Sequence, residues 1–168
     1  FTEEKFSIEW EQLVFHKDNI LTGNGRKVAF ITGATGLIGT YLLNELLKHN
    51  YDKIYCLIRE KDIAQATNKI NASFAKYKIS IQYHDFKKIK IVLGDLTHIN
   101  LGISEQDLEA IVNEVTDIFH CGAHVNHIYS YDKLYLANVQ STKEIIKFAQ
   151  YGIEKKIHYI SALSAIND

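Results

Sequence analysis

The run with the clearest chemical potential is Thr32-Gly33-Ala34-Thr35-Gly36-Leu37-Ile38-Gly39. Glycines at G-x-x-G-x-x-G spacing suit a sharp turn from a strand into a helix, where phosphate oxygens can be held. Gly33 permits the turn, Gly36 lets the backbone approach a pyrophosphate, and Gly39 lets the helix pack closely on the strand. The helix that starts there offers unpaired N–H groups and a partial positive charge to an anion. Glycine spacing alone is weak evidence, and its place between an apolar run and a helical pattern is what gives it weight. A tight turn that binds nothing is the alternative reading.

Two further positions bear on what such a turn would hold. Ile58-Arg59 lies about 20 residues past the turn, at the end of a second apolar run, where a site for unphosphorylated ribose usually has Asp or Glu. A guanidinium suits a ribose 2′-phosphate, and Lys61 and Lys69 add charge nearby. Glu60 follows directly and has to point away, and a solvated surface arginine is the plain alternative. At the end of a third run, Asp95 can accept a hydrogen bond from an adenine amino group, or it can simply shape a turn. His120, Cys121, His124 and His127 resemble a metal-ligand set. Adjacent His120 and Cys121 point to opposite faces of a strand, however, and no second cluster completes a tetrahedron, so no metal site is expected.

Alternating elements must place these residues. Apolar runs predict strands over Lys27–Thr32, Ile54–Ile58, Ile89–Leu93, Asp117–His120 and Ile157–Ile160. Helical spacing covers Leu37–Lys48, about Asp62–Lys76, a stretch opened by Ser104 with Asp107 in a capping-box-like position, and Asp132–Gln150 with Gly152 as its stop. Strands joined mainly through helices predict an α/β fold, a doubly wound Rossmann-type parallel sheet whose ligand sits at the carboxyl ends of its strands. The expected organisation is a linker or short helix over 1–26, then a nucleotide-binding domain over 27–168.

Composition narrows the classes. The 168 residues are 46% hydrophobic and 23% charged, with a net charge of −1, which speaks against a general nucleic-acid or membrane-surface binder. No apolar run reaches the ~18 residues of a bilayer span, and no signal pattern opens the chain. Cys56 and Cys121 are expected as buried thiols, consistent with a cytoplasmic setting. The chain begins at Phe1 rather than Met and reads as an excised or processed piece; its lack of proline has no evident reason.

Taken in order, TGATGLIGTYLLNELL (32–47), IYCLIRE (54–60), VLGDLT (92–97), IFHCGAHVNHIYSYDKLYLANVQST (118–142) and HYISALS (158–164) resemble the thioester reductase domains of the extended short-chain dehydrogenase/reductase superfamily. Such domains end some nonribosomal peptide synthetases, polyketide synthases and carboxylic acid reductases. The resemblance implies NADP(H) as cofactor. It implies as partner an acyl-loaded carrier protein with a phosphopantetheine arm in the same polypeptide, and release of the acyl group as aldehyde or alcohol. It places Gly33, Thr35, Gly36, Leu37, Ile38 and Gly39 in the phosphate loop, Arg59 and Lys69 at the 2′-phosphate, and Asp95 and Leu96 beside adenine. Gly122 and Ala123 would line the cofactor, and Asn138 would brace the active site.

Two departures stand out. The family's Ser or Thr after the serine that ends strand five is here Ala162, leaving Ser161 and Ser164 as the candidate hydroxyls. The family's Tyr-x-x-x-Lys pair belongs after strand five, whereas Tyr83/Lys87, Tyr129/Lys133 and Tyr151/Lys155 all precede it and read as chance matches. The expectation is a reductase cut after its fifth strand, inactive alone. A free-standing reductase or epimerase acting on a small carbonyl or nucleotide sugar, and a non-catalytic NADP-sensing or scaffold domain, remain the rivals.

Overall fold

A computed structural model describes residues 25–162. The linker expected over 1–26 lies outside this range but for Gly25 and Arg26, as does Ser164. Five strands form one wholly parallel sheet: β1 (Val28–Thr32), β2 (Lys53–Ile58), β3 (Ile89–Leu93), β4 (Asp117–His120) and β5 (Lys156–Tyr159). Their order is β3-β2-β1-β4-β5, so the winding reverses between β1 and β4, as in a doubly wound sheet. Each strand is where the sequence places it, to within a residue at either end.

β1 is buried along its whole length because both faces of the sheet are covered. Its side chains alternate between two cores. Ala29 and Ile31 face a cluster with Leu43, Leu46 and Leu47 of α1 (Leu37–Lys48) and Ala66, Ile70 and Phe74 of α2 (Ile63–Lys76). Val28 and Phe30 face Leu101, Ile111 of α4 (Glu105–Val112), and Ile145 and Phe148 of α6 (Ser141–Ala149). Burying each such large side chain contributes about 1.5–3 kcal/mol. The one-turn α3 (Tyr83–Phe86) and a 3₁₀-type turn over Ile99–Gly102 were not expected.

Local caps decide where helices start. Asp62 Oδ1 accepts from Gln65 N at 2.7 Å ahead of α2, and Ser104 Oγ accepts from Asp107 N at 3.2 Å ahead of α4. Ser104 also donates to Asp107 Oδ2 at 2.7 Å, completing the pair the sequence suggests. Gly152 takes φ +72 past the end of α6; a Cβ there would lie 2.2 Å from Val112 O.

The single helix expected over Asp132–Gln150 needs correction. It is α5 (Tyr131–Tyr135), a π-helical segment over Leu136–Gln140, and α6. The hydroxyls of Ser141 and Thr142 donate to Ala137 O at 2.6 Å and Asn138 O at 2.7 Å, and the Asn138 amide is drawn off the helix to a neighbouring loop. Hydroxyl back-bonds of this kind compete with the helical ladder and often bend a helix.

Candidate nucleotide-binding site

The turn after β1 is built around its glycines. Gly33 has φ +69, and a Cβ on it would lie 2.7 Å from Gly122 N. A Cβ on Gly39 would lie 2.0 Å from Gly33 O, so a side chain there is excluded by the fold itself. Gly36 differs: a Cβ would meet only Gly33 O, at 3.3 Å. The protein alone barely restricts Gly36, and the space in front of it is open. Gly36 N donates to Gly33 O at 3.0 Å to close the turn, and Thr40 donates to Gly36 O at 2.7 Å. Thr40 is a buried support for this turn that sequence reasoning passed over. No side chain at the N-cap closes α1, and its first turn has no acidic residue, which leaves its leading N–H groups without a capping side chain.

These residues open onto a cleft of about 420 Å³ at the carboxyl ends of the strands. Gly33, Thr35, Gly36, Arg59, Lys69, Asp95, Leu96, Gly122 and Ala123 all line it. Leu37, Ile38, Gly39 and Asn138 do not. Leu37 and Ile38 turn their side chains to solvent, and Gly39 serves the packing of α1. Asn138 acts at one remove: its Oδ1 accepts from His124 N at 2.7 Å and its Nδ2 donates to His124 O at 3.0 Å. That pair of bonds fixes the loop that carries Ala123 and His124 past the cleft.

Charge at the far wall is arranged across strands. Arg59 Nη1 lies 3.8 Å from Asp95 Oδ2, with the guanidinium largely exposed. Lys69 Nζ is held by Glu60 Oε1 at 2.7 Å and by Arg59 O at 3.1 Å. Glu60 thus points to Lys69, and Lys69 is already paired. Asp95 shapes a turn: its Oδ1 accepts from Thr97 N at 2.9 Å and the Thr97 hydroxyl at 2.8 Å. Burial opposes ionisation of Asp95, but the Thr97 bonds and the Arg59 and His98 charges outweigh it and hold the carboxyl below its usual range.

The near wall rests on a buried polar contact. Thr32 Oγ1 lies 2.7 Å from His120 Nδ1 and accepts from Gly122 N at 3.1 Å, tying the end of β1 to the end of β4. Burial lowers His120 to about 4, so its ring is neutral at pH 7. Among the described residues no group of three or more His, Cys, Asp and Glu is placed to share a metal ion. Both cysteines are free thiols; Cys56 is buried as expected, but Cys121, beside the cleft, is only half-buried. Burial pushes the Cys121 thiol up to about 11, so it is protonated and weakly nucleophilic.

The candidate hydroxyls stand apart from any acid–base pair. Ser161 and Ala162 are exposed just past β5. Lys133 Nζ sits over the Tyr129 ring, 5.1 Å from its centre, rather than at the hydroxyl. Lys155 donates to Tyr151 O and Ile153 O at the opposite ends of the strands. Tyr135 Oη and Lys143 Nζ are 3.3 Å apart, but neither lines the cleft.

A family model of NAD-binding type, described as male sterility protein, matches residues 31–168. The chain belongs to this family. It is 35% identical over 139 residues to a component of the linear gramicidin synthase of Brevibacillus parabrevis, covering 82% of this chain and 3% of that one. It is 33% identical over 163 residues to L-2-aminoadipate reductase of Saccharomyces cerevisiae, covering 91% of this chain and 11% of that one. Among solved structures, the terminal R domain of the myxalamid PKS-NRPS pathway superposes with a TM-score of 0.82 at 33% identity, over 88% of this chain and 38% of that one. The chain thus spans only a small part of these curated relatives. The thioester-reductase resemblance and the doubly wound fold are borne out, and a nicotinamide dinucleotide is the cofactor class of the family. No described helix is long and apolar enough to cross a membrane.

Proposed function

We propose that residues 27–168 form the NADPH-binding part of a reductase that releases an acyl group from a carrier-protein phosphopantetheine thioester as aldehyde or alcohol. The carrier would lie in the same polypeptide, in the cytoplasm. The observation that carries the reading is the single cleft holding both the open face of Gly36 and the Arg59 guanidinium. The residues present suit the dinucleotide. Gly33, Thr35, Gly36 and the first N–H groups of α1 would hold the pyrophosphate. Arg59 would take the 2′-phosphate, exchanging one long contact with the singly charged Asp95 for a group of higher charge. Lys69, tied to Glu60, would contribute field more than a direct bond. Asp95 and Leu96 would border adenine, and Gly122 and Ala123 would let the nicotinamide half lie against backbone. Bound there, reduced nicotinamide supplies a hydride to a thioester carbonyl. The chain's own part is to hold the dinucleotide and keep its loops in place.

A non-catalytic nucleotide-binding domain is the second reading, favoured by Ala162 in the family's hydroxyl position with Ser161 exposed beside it. Solution calorimetry of the 168-residue chain with NADPH and NADH tests the cofactor reading. NADPH is expected to bind at least about tenfold more tightly. Equal affinities would remove the 2′-phosphate role of Arg59, and no binding of either would remove the site.

A further inference from the structure

We infer that Glu144 on α6 is a positioning residue for the adenine end of the dinucleotide, acting through Asn100; the inference rests on the nucleotide-binding reading above. Between β3 and α4 the chain first lines the cleft at Gly94, Asp95, Leu96 and Thr97, then turns over Ile99–Gly102. Three successive residues of that turn are left-handed: Asn100 (φ 52), Leu101 (φ 58) and Gly102 (φ +62). Glycine adopts this conformation freely and asparagine tolerates it, but leucine does not favour it.

The turn matters because it aims the Leu101 carbonyl back at the cleft wall. Asp95 N donates to Leu101 O at 2.7 Å, and a Cβ on Gly94 would lie 2.4 Å from the same oxygen. The backbone position of Asp95 is therefore set by where Leu101 O stands. A shift of the turn moves the residues that border adenine and face Arg59.

Glu144 holds the turn. Its Oε2 accepts from Asn100 N at 2.9 Å, and its Oε1 accepts from Gln140 Nε2 at 2.9 Å. Lys147, one turn further along α6, donates to Asn100 Oδ1 at 3.2 Å and lies 4.0 Å from Glu144 Oε2. Asn100 is thus gripped at its backbone and its side chain by one helix. Glu144 is 7% exposed, in a groove whose walls include Leu101, Leu108 and Phe148 beside the polar Asn100, Glu105 and Lys147. A carboxylate buried this far is costly unless it is paired and hydrogen-bonded, as both of its oxygens are here. One of these bonds captures the backbone N–H of the left-handed Asn100. The same helical run, through Asn138, also clamps the loop at the opposite wall.

The test uses the 168-residue chain, with NADPH and 2′,5′-ADP as probes, the latter reporting the adenine half alone. Glu144→Ala is expected to weaken both by about tenfold, the loss of one charge-assisted bond passed on to the site. Glu144→Gln, which retains an acceptor oxygen, should stay within about threefold of the parent. Adding Asn100→Gly to Glu144→Ala should recover most of the affinity, because glycine holds the left-handed conformation unaided. A purely structural Glu144 would lower the melting temperature without that recovery. Unchanged 2′,5′-ADP affinity in Glu144→Ala, or no recovery on adding Asn100→Gly, overturns the inference while leaving the nucleotide site standing. Failure of the parent chain to bind either probe removes the nucleotide reading and the inference with it. Should Glu144→Ala not fold, Asn100→Gly against Asn100→Ala decides. Glycine should retain affinity and alanine lose about fivefold, and equal affinities overturn the inference.

Discussion

Gly36 separates a glycine needed by a ligand from one needed by the fold. At Gly39 an added Cβ would sit 2.0 Å from Gly33 O, and the collision is with backbone that cannot swing away. Overpacking of that severity costs about 3 kcal/mol or more. At Gly36 the Cβ would meet the same oxygen at 3.3 Å, a contact relieved by a shift of a few tenths of an ångström. Its φ of −77 and ψ of 171 are ordinary extended backbone for any residue. Alanine also lowers the entropy of the unfolded chain, by about 0.4–1 kcal/mol, against a loss of similar size for a poorer N-cap. The net effect of Gly36→Ala on stability is therefore within about 1 kcal/mol. Its effect on binding is larger, because the methyl group occupies the approach of the pyrophosphate to the first N–H groups of α1. Losing two charge-assisted hydrogen bonds costs at least about 3 kcal/mol, or roughly a hundredfold in Kd. Thermal melts and calorimetric NADPH titrations of Gly36→Ala and Gly39→Ala measure both terms. A folded Gly36→Ala protein that binds NADPH within about threefold of the parent would refute the reasoning and reduce the turn to a structural device.

Arg59→Ala should weaken NADPH by about 1–2 kcal/mol and leave NADH nearly unchanged; the effect is moderated because the guanidinium is 75% exposed and screened by solvent. Equal losses for the two cofactors in paired titrations would show that Arg59 supports the fold rather than the 2′-phosphate. For His120 the folded pKa is lowered from 6.5 to about 4, so the unfolded chain binds the extra proton first. Its contribution of about 3 kcal/mol is complete above pH 6.5 and is lost as pH falls from there toward 4. Melting curves across that window should fall less steeply for His120→Gln than for the parent, and identical slopes would contradict a buried neutral ring. The 168-residue chain with NADPH and a carrier- or coenzyme A-bound acyl thioester should consume no NADPH above background. The described residues bring no tyrosine hydroxyl and lysine together in the cleft, and Ala162 stands where the resemblance implies a helper hydroxyl. Sustained, protein-dependent aldehyde formation would overturn that expectation.

How far the sequence alone reaches depends on how local the cause is. The strands, α1 and α4, and the capping of α4 by Ser104 follow from periodicity and from bonds between residues three or four apart, which a sequence displays directly. The Gly33–Gly39 turn is legible for the same reason where Gly36 and Gly39 approach Gly33, whereas the close approach of Gly33 to Gly122 comes only with the pairing of β1 and β4. What the tertiary structure decided is where long-range partners divert a side chain. Lys69, which the resemblance places at the 2′-phosphate, is held by Glu60, and the Asn138 side chain, within the π-helical segment, binds the His124 backbone. Thr32 and His120, 88 positions apart, meet because β1 and β4 pair at the switch point of the sheet. Glu144 reads in sequence as one more acid on an amphipathic helix. Only the packing of α6 against the turn after β3 makes it the acceptor for Asn100, because a hydrogen bond between residues 44 positions apart leaves no periodic trace in the chain.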